Sequence, residues 1–492
     1  MAQKRRMSSS PAPSHSLSAA EIRAIMIGLM VAMFPGALDT TIIGPAMPTI
    51  GRELRDVEHL PWIVTSYLLV STAVTPLYGK LSDIHGRRVM LMWAIGIFAA
   101  GSIFCAVAPT IILLALARAV QAIGGGGLIS LAMTIIGDIV PPRERPKFQI
   151  YTSIMWTGSS LLGPVLGGYL AEKWHWSLIF WINLPLCVAA FLMTNNKLKK
   201  IPRHERPHAL DFAGAVLLVL ASVLVQLMLS WGGTRYAWSS APVLGLLAAS
   251  IMATGLFIWR LKTAAEPLIP LSLLSNKVVL SATSSVGLAM AVFVALSIYV
   301  PVYFETVLGL SATQSGLGLL PLMMCTTIGA LASGRAMAHL DHYKFVPLIG
   351  LLVGSMAMVP LFIWPTGLSI TVIEILLSIV AAGVGAVFPV TTVSVQNAVS
   401  AHELGTGTAL ITFLRNLGAA AGVAVFGTIV IGGSGHAPEM AGAAGLTADA
   451  AFIQQFSYVF LAGAIGLFAA ALVIWTMEER PLAGRMRSGA IR

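Results

Sequence analysis

Residues 22–47 read IRAIMIGLMVAMFPGALDTTIIGPAM; beyond Arg23 at its edge, the one charge in this run is Asp39. The stretch is long enough to cross a hydrocarbon layer, which takes roughly 20 mainly apolar residues. A carboxylate in such a run is costly to hold, so an acid kept there points to a functional site. Similar runs recur to the end of the chain, at about 62–79, 89–108, 111–139, 148–171, 178–196, 212–231, 241–259, 278–304, 314–333, 346–364, 370–397, 406–430 and 453–477. They predict an all-α integral membrane protein with fourteen transmembrane helices. The strands of a membrane β-barrel would be far shorter and would alternate in polarity.

The composition agrees. Of 492 residues, 57% are hydrophobic and only 10% are charged, against about 25% charged in a soluble protein. The net charge of +10 invites a nucleic-acid reading, and the placement of the charges removes it. Most Lys and Arg residues fall in segments that share one side of the membrane. Only Arg52, Arg55, Lys173 and Arg235 fall on the other side, and Arg118 and Arg415 lie within spans. That asymmetry predicts that both termini are cytoplasmic. The start Lys4-Arg5-Arg6 is not read as part of a signal peptide, because the run after it is span-length and carries Asp39. Cys105, Cys187 and Cys325 lie within spans without paired spacing and read as small hydrophobes.

Charge runs divide the chain. Residues 1–22 read as a disordered cytoplasmic tail, 23–196 as a six-helix bundle and 197–211 as a cytoplasmic linker. Residues 212–259 form an inserted helix pair, 260–277 a second linker, 278–477 a second six-helix bundle and 478–492 a tail. The turn after the second span, Gly79-Lys80-Leu81-Ser82-Asp83-Ile84-His85-Gly86-Arg87-Arg88, has a faint counterpart at Gly334 to Lys344, after the second span of the last six.

Depth follows from the 1.5 Å rise per residue. Asp39 lies about 24 Å from the inner face of a ~30 Å core, and Arg118 lies about 12 Å below the outer face. Their depths differ by about 6 Å, so they pair if the first and fourth spans face each other. Burial disfavours the charge of a carboxylate, and a nearby cation favours it. Near balance, such a group loads a proton from an acidic exterior and releases it inside, and a cationic substrate competing for it couples the two fluxes. A structural reading stays open: Asp39 hydrogen-bonds Thr40 or a neighbouring helix, and Arg118 locks helices through backbone carbonyls. Arg415, about 15 Å into its span, has no evident counter-charge.

Several motifs resemble those of the major facilitator superfamily. Gly79 to Arg88 resembles its cytoplasmic signature, with Ile84 where many members carry a base. Arg118-Ala119-Val120-Gln121-Ala122-Ile123-Gly124-Gly125 resembles a second signature, with Ala122 in place of a Gly. Gly163-Pro164-Val165-Leu166-Gly167-Gly168 resembles the core of the antiporter motif, with Ser159 at another usual Gly. Trp176 to Pro185 and Phe413 to Gly418 look like stretches of the fourteen-span drug:proton antiporter branch. The resemblance covers about residues 20–480 and implies two six-helix bundles related by an axis along the membrane normal.

The resemblance also implies roles. Spans equivalent to the first, fourth, ninth and twelfth line a central cavity in that fold. This adds Glu305 and Glu374 to Asp39 and Arg118 as coupling residues, and Phe293, Tyr299, Tyr303 and Gln396 as cavity residues. The aromatic faces suit a lipophilic cation; the bland alternatives are an interfacial aromatic belt, wetted acids near span ends, and helix–helix bonding by Gln396. The motif Gly79, Asp83, Gly86, Arg87 and Arg88 is implied to latch the bundles on the cytoplasmic side, with Asp138 as partner of Arg87 or Arg88. Gly163, Pro164, Gly167 and Gly168 are implied to shape the fifth span.

Gly124 to Gly127 is not followed by the Lys-Ser/Thr of a phosphate-binding loop, no metal-ligand spacing is present, and no nucleophile–base motif stands out. An enzyme or an ATP-driven pump is therefore not expected. The expected function is proton-coupled efflux of lipophilic, often cationic compounds by alternating access. No cofactor is expected, since the proton gradient drives transport. The expected partners are the substrate, protons and the lipid bilayer of a bacterial inner membrane. Some members of the resembling branch work with a periplasmic partner, which leaves that question open. The alternatives are export of a specific metabolite, lipid or siderophore, an importer, and, least favoured, a non-transporting sensor or scaffold.

Overall fold

The structure, a computed structural model, describes residues 19–56, 59–141, 145–200, 211–233, 235–340, 342–432 and 450–481. Most of the two expected tails, the core of the 197–211 linker and the Gly/Ala-rich loop near 433–449 lie outside the described residues.

The described chain is helical throughout. The first group comprises α1 (Ala19–Leu54), α2 (Pro61–His85), α3 (Arg87–Ala106), α4 (Ile111–Ile139), α5 (Arg145–Lys173), α6 (Leu178–Trp181) and α7 (Asn183–Asn195). A pair follows, α8 (Phe212–Trp231) and α9 (Ala241–Thr263). The last group comprises α10 (Leu271–Ser275), α11 (Lys277–Thr306), α12 (Ala312–Gly318), α13 (Leu320–His339), α14 (Phe345–Ile363), α15 (Ile370–Ala398), α16 (Leu404–Gly432) and α17 (Ala450–Trp475).

Twelve helical segments among the described residues are long and apolar enough to cross a membrane, against the fourteen expected. The two that fall short are α2 and α5, read above as spans at 62–79 and 148–171. Both are long helices, but the apolar stretch of α2 is diluted by Ser, Thr, Tyr and Pro residues, and α5 begins Arg145-Pro146-Lys147 and is rich in Gly, Ser and Thr.

Helices α1–α7 pack on one another through two apolar clusters, and α11–α17 share a third. Helices α8 and α9 pair, with α8 lying on α2 and α16. The two groups meet chiefly along α2 against α16 and α5 against α13, with α4 also touching α16.

Two breaks position side chains. The sixth expected span divides at Ile182, between α6 and α7. Pro185 has no amide to give to the carbonyl of Trp181, so the helix restarts there, and Asn183 turns inward, 1% exposed. The tenth divides at Leu319, with Pro321 just after it, and Ser311 and Gln314 close a reciprocal cap at the start of α12. The glycine run of α4 permits close approach on two sides: a Cβ at Gly124 would meet the backbone of Phe98 at 2.4 Å, and one at Gly126 the carbonyl of Ser71 at 2.4 Å.

Candidate functional site

Asp39 and Arg118 meet inside the first helix group. Arg118 Nη1 donates to Asp39 Oδ2 at 2.5 Å and to Gln121 Oε1 at 2.6 Å. The carboxylate is 0% exposed and the guanidinium 2%. Gln121 Nε2 donates to Asp39 Oδ1 at 3.0 Å and to Ser102 Oγ at 2.9 Å. Asn183 Nδ2 reaches Asp39 Oδ1 and Ser102 Oγ, each at 3.4 Å. Arg118 Nε donates to the carbonyl of Ile63 at 3.2 Å, and its Cζ lies 4.1 Å from the Tyr67 ring centre and 5.8 Å from that of Phe180.

Charge decides what this cluster can do. A buried ion is tolerable only when paired and when its remaining hydrogen-bonding capacity is met. Asp39 and Arg118 cancel, and α1, α2, α3, α4, α6 and α7 contribute to the surroundings. The Oδ1 of Asn183 is the exception, buried without a donor. Asp39 faces α3, α4 and α7, enclosed by protein on every side. A substrate competing directly for this carboxylate, as envisaged from the sequence, therefore has no access to it in this conformation.

The turn after α2 forms a second constellation. Gly86 joins α2 to α3 at φ 91°, a left-handed backbone that a side chain would strain. Arg87 lies between Asp83 and Asp138: it pairs with Asp83, and its Nε donates to Asp138 Oδ2 at 2.8 Å. Of the two bases proposed for Asp138, Arg87 is thus the partner. Arg88 donates instead to the carbonyl and the side chain of Asn195, the latter at 2.6 Å from Nη2.

The carboxylate of Asp83 also crosses to the other helix group. It accepts from the backbone N–H of Gly405 at 3.2 Å and of Thr406 at 3.1 Å, and from the Thr406 hydroxyl at 2.9 Å. These amides belong to the first turn of α16, where N–H groups have no partner within the helix and an anion is favoured. Gly79 lets the helices close there: a Cβ on it would meet Ala409 Cβ and the Gly405 carbonyl at 2.7 Å. Gln396 adds a crossing, its Nε2 donating to the Met133 carbonyl of α4 at 3.2 Å and to Thr408 Oγ1 at 3.4 Å. The Thr157 and Thr327 hydroxyls pair between α5 and α13.

In α5, Gly163 and Gly167 press against α1. A Cβ would meet Thr41 Oγ1 and the Ile42 carbonyl, each at 2.0 Å. Thr41 Oγ1 donates to the carbonyl of Ser159 at 2.9 Å. Pro164 lies inside a continuous α5, and Gly168 is less crowded, with Pro45 Cβ 3.7 Å away.

The remaining expected residues do not come together. Tyr303, expected on a cavity wall, is instead wholly buried among Phe304, Phe456 and Phe460, and its hydroxyl donates to the Pro365 carbonyl. Tyr299 is half-buried and donates to the Val423 carbonyl at 3.1 Å. Phe293 packs half-buried on the same core. Glu305 is exposed at the end of α11, and Glu374 is half-buried near the start of α15.

Gln121 and Asn183 stand inside the motifs above with no expected role, and Ser102, Tyr67 and Thr406 stand outside them. For Gln121 the signal was present, since it lies one helical turn from Arg118 on the same face. Among the described residues, no cluster of His, Cys, Asp and Glu is arranged to hold a metal ion.

A family model described as Major Facilitator Superfamily matches residues 29–423. The multidrug transporter protein MdtP of Bacillus subtilis is 32% identical over 418 residues, covering 84% of this chain and 76% of that protein. An MFS-type transporter of Mycobacterium tuberculosis is 32% identical over 409 residues, 83% of this chain; the match spans only 59% of that longer protein. Among solved structures, a bacterial homologue of the iron transporter ferroportin in an outward-facing state superposes with a TM-score of 0.67. It is 12% identical, with 94% of this chain and all of that one covered, and so attests the fold.

Proposed function

Because the chain belongs to the major facilitator superfamily, we propose that it is a secondary transporter exporting lipophilic compounds, cations among them, in exchange for protons. In this reading α2 and α5 also span the membrane, which gives fourteen spans, the layout of the drug:proton antiporter branch. Both termini then lie in the cytoplasm of a cell whose inner membrane holds the protein. The names of the relatives support efflux, and the basic residues at the α2–α3 turn support a cytoplasmic position for that end.

The observation that carries proton coupling is the sealed Asp39–Arg118 pair. A proton on Asp39 removes the negative member and leaves Arg118 buried without compensation, so protonated and deprotonated forms favour different packings of the first helix group. The protonated carboxyl needs an acceptor. Turning the Asn183 amide over would offer its partnerless oxygen to that proton and its Nδ2 to another neighbour. Substrate and proton then act on one equilibrium between two packings without touching the same atom. Every cross-group polar contact described above lies at the α2–α3 turn end or near mid-depth, which supports reading this conformation as closed toward the cytoplasm.

The test uses inside-out vesicles with an acidic lumen. Adding a lipophilic cation should release protons from the lumen with the native chain, and Asp39→Asn should abolish that release. Release that survives in Asp39→Asn would remove Asp39 as the essential carrier. The absence of release with any compound would overturn antiport itself.

A further inference from the structure

Arg415 lies in the middle of α16, and its Nε is buried without a hydrogen-bond partner. Among the described residues its guanidinium enters no ion pair, and its neighbour is the Phe388 ring of α15, 5.9 Å from Cζ. Arg118 is matched by Asp39 and Arg87 by Asp83 and Asp138; Arg145 donates to the carbonyls of Gly137 and Val140, though its Nη1 is also buried without a partner.

Among the described residues of α11–α17 and their connections, none of Glu305, Glu374 and Glu403 can serve. Glu403 precedes α16, about 18 Å along the helix axis from Arg415, and accepts from Ser400 and Ser272. Glu374 lies about 21 Å along α15 from Phe388. Glu305 lies about 27 Å along α11 from Gly287, whose nearest approach to α16 is at Leu414 and Gly418.

The face of α16 that carries Arg415 is fixed by Thr408, two helical turns away on the same side. Thr408 accepts from Gln396, whose amide also reaches Met133 in the first helix group. Gly422, two turns further on, shares that side, and with Gly418 it meets α11 at Ala291 and Gly287. Arg415 therefore lies where α11, α15, α16 and the first group converge, one or two turns deeper than the crossing at Gln396.

We propose that Arg415, backed by Phe388, receives an anionic oxygen group of the transported compound: a carboxylate, sulfonate or phosphate ester on a lipophilic body. This rests on the transporter reading and extends its substrates to anions and zwitterions. An intramembrane Arg with no ion-pair partner among the described residues is costly to retain. Its planar fork suits two oxygens of one acidic group, and the ring beside it suits the apolar body of the ligand.

Binding to the full chain in lipid nanodiscs, with no proton gradient, tests this. The probes are 2-naphthalenesulfonate and the matching 2-naphthyltrimethylammonium, measured by equilibrium dialysis. The native chain should bind the sulfonate. Arg415→Gln should raise its Kd by about tenfold or more while leaving the ammonium Kd within about twofold, and Arg415→Lys should recover part of the loss. A native chain that binds the ammonium and not the sulfonate overturns the proposal without recourse to any variant. So does equal sulfonate binding by folded Arg415→Gln, with folding checked by thermal melting. Neither result bears on substrate-evoked proton release in vesicles, so antiport stands or falls separately.

Discussion

Arg118 does two jobs at once: it neutralises Asp39 and orders the amide of Gln121, which returns to the same carboxylate. Removing one member of a buried pair leaves the other uncompensated, at a cost of about 3–5 kcal/mol. Arg118→Gln should therefore lower the thermal midpoint of the detergent-solubilised protein markedly. Adding Asp39→Asn should raise the midpoint again, because the double variant holds no unpaired charge. A double variant that melts below Arg118→Gln would mean that the two residues act independently. The pair itself was legible in the sequence, since charges in apolar runs advertise themselves and helical rise places them at similar depth. Asn183 was not, because its inward turn depends on the break ahead of Pro185. Tyr303 misled because an aromatic near a span end suits a cavity wall and a packed core equally well.

At the scale of elements, the fit of α5 on α1 depends on the absence of side chains at Gly163 and Gly167. A methyl at Gly167 would lie 2.0 Å from the Ile42 carbonyl, a backbone atom that moves only if a helix moves. Gly167→Ala should thus destabilise by about 1–3 kcal/mol, as overpacking does. Gly158→Ala, on the same helix with nothing within 4 Å of the new methyl, should be neutral or slightly stabilising. Thermal melting of the two variants side by side checks the contrast, and equal midpoints would dismiss a packing role for the motif. The helices were readable from hydropathy, with ends off by up to seven residues as at α1 and α2, because apolar length sets span length while helices run on past the apolar stretch. Their partners were not: that Asp83 would cap α16 requires knowing that α2 and α16 adjoin, and nothing local to either stretch says so.

For the whole molecule, the two helix groups are held at the α2–α3 turn end by Asp83 and Gln396 and by the close approach at Gly79. Spin labels at the exposed positions of His85 and His402, in a background lacking the three cysteines, report the separation of that end. Asp83→Asn weakens a charge-assisted contact worth about 1.5–3 kcal/mol, so the distance distribution should gain a longer component. An unchanged distribution would exclude Asp83 as a latch. The same architecture sets an order on biosynthesis. Asp39 and Arg118 are 79 residues apart in sequence, so α1 leaves the ribosome with its acid long before the matching base is made. The inserted nascent chain must carry Asp39 unmatched until α4 arrives, and α4 in turn gains a reason to settle beside α1. Loss of Arg118 should then lower the amount of protein reaching the membrane before any question of transport arises.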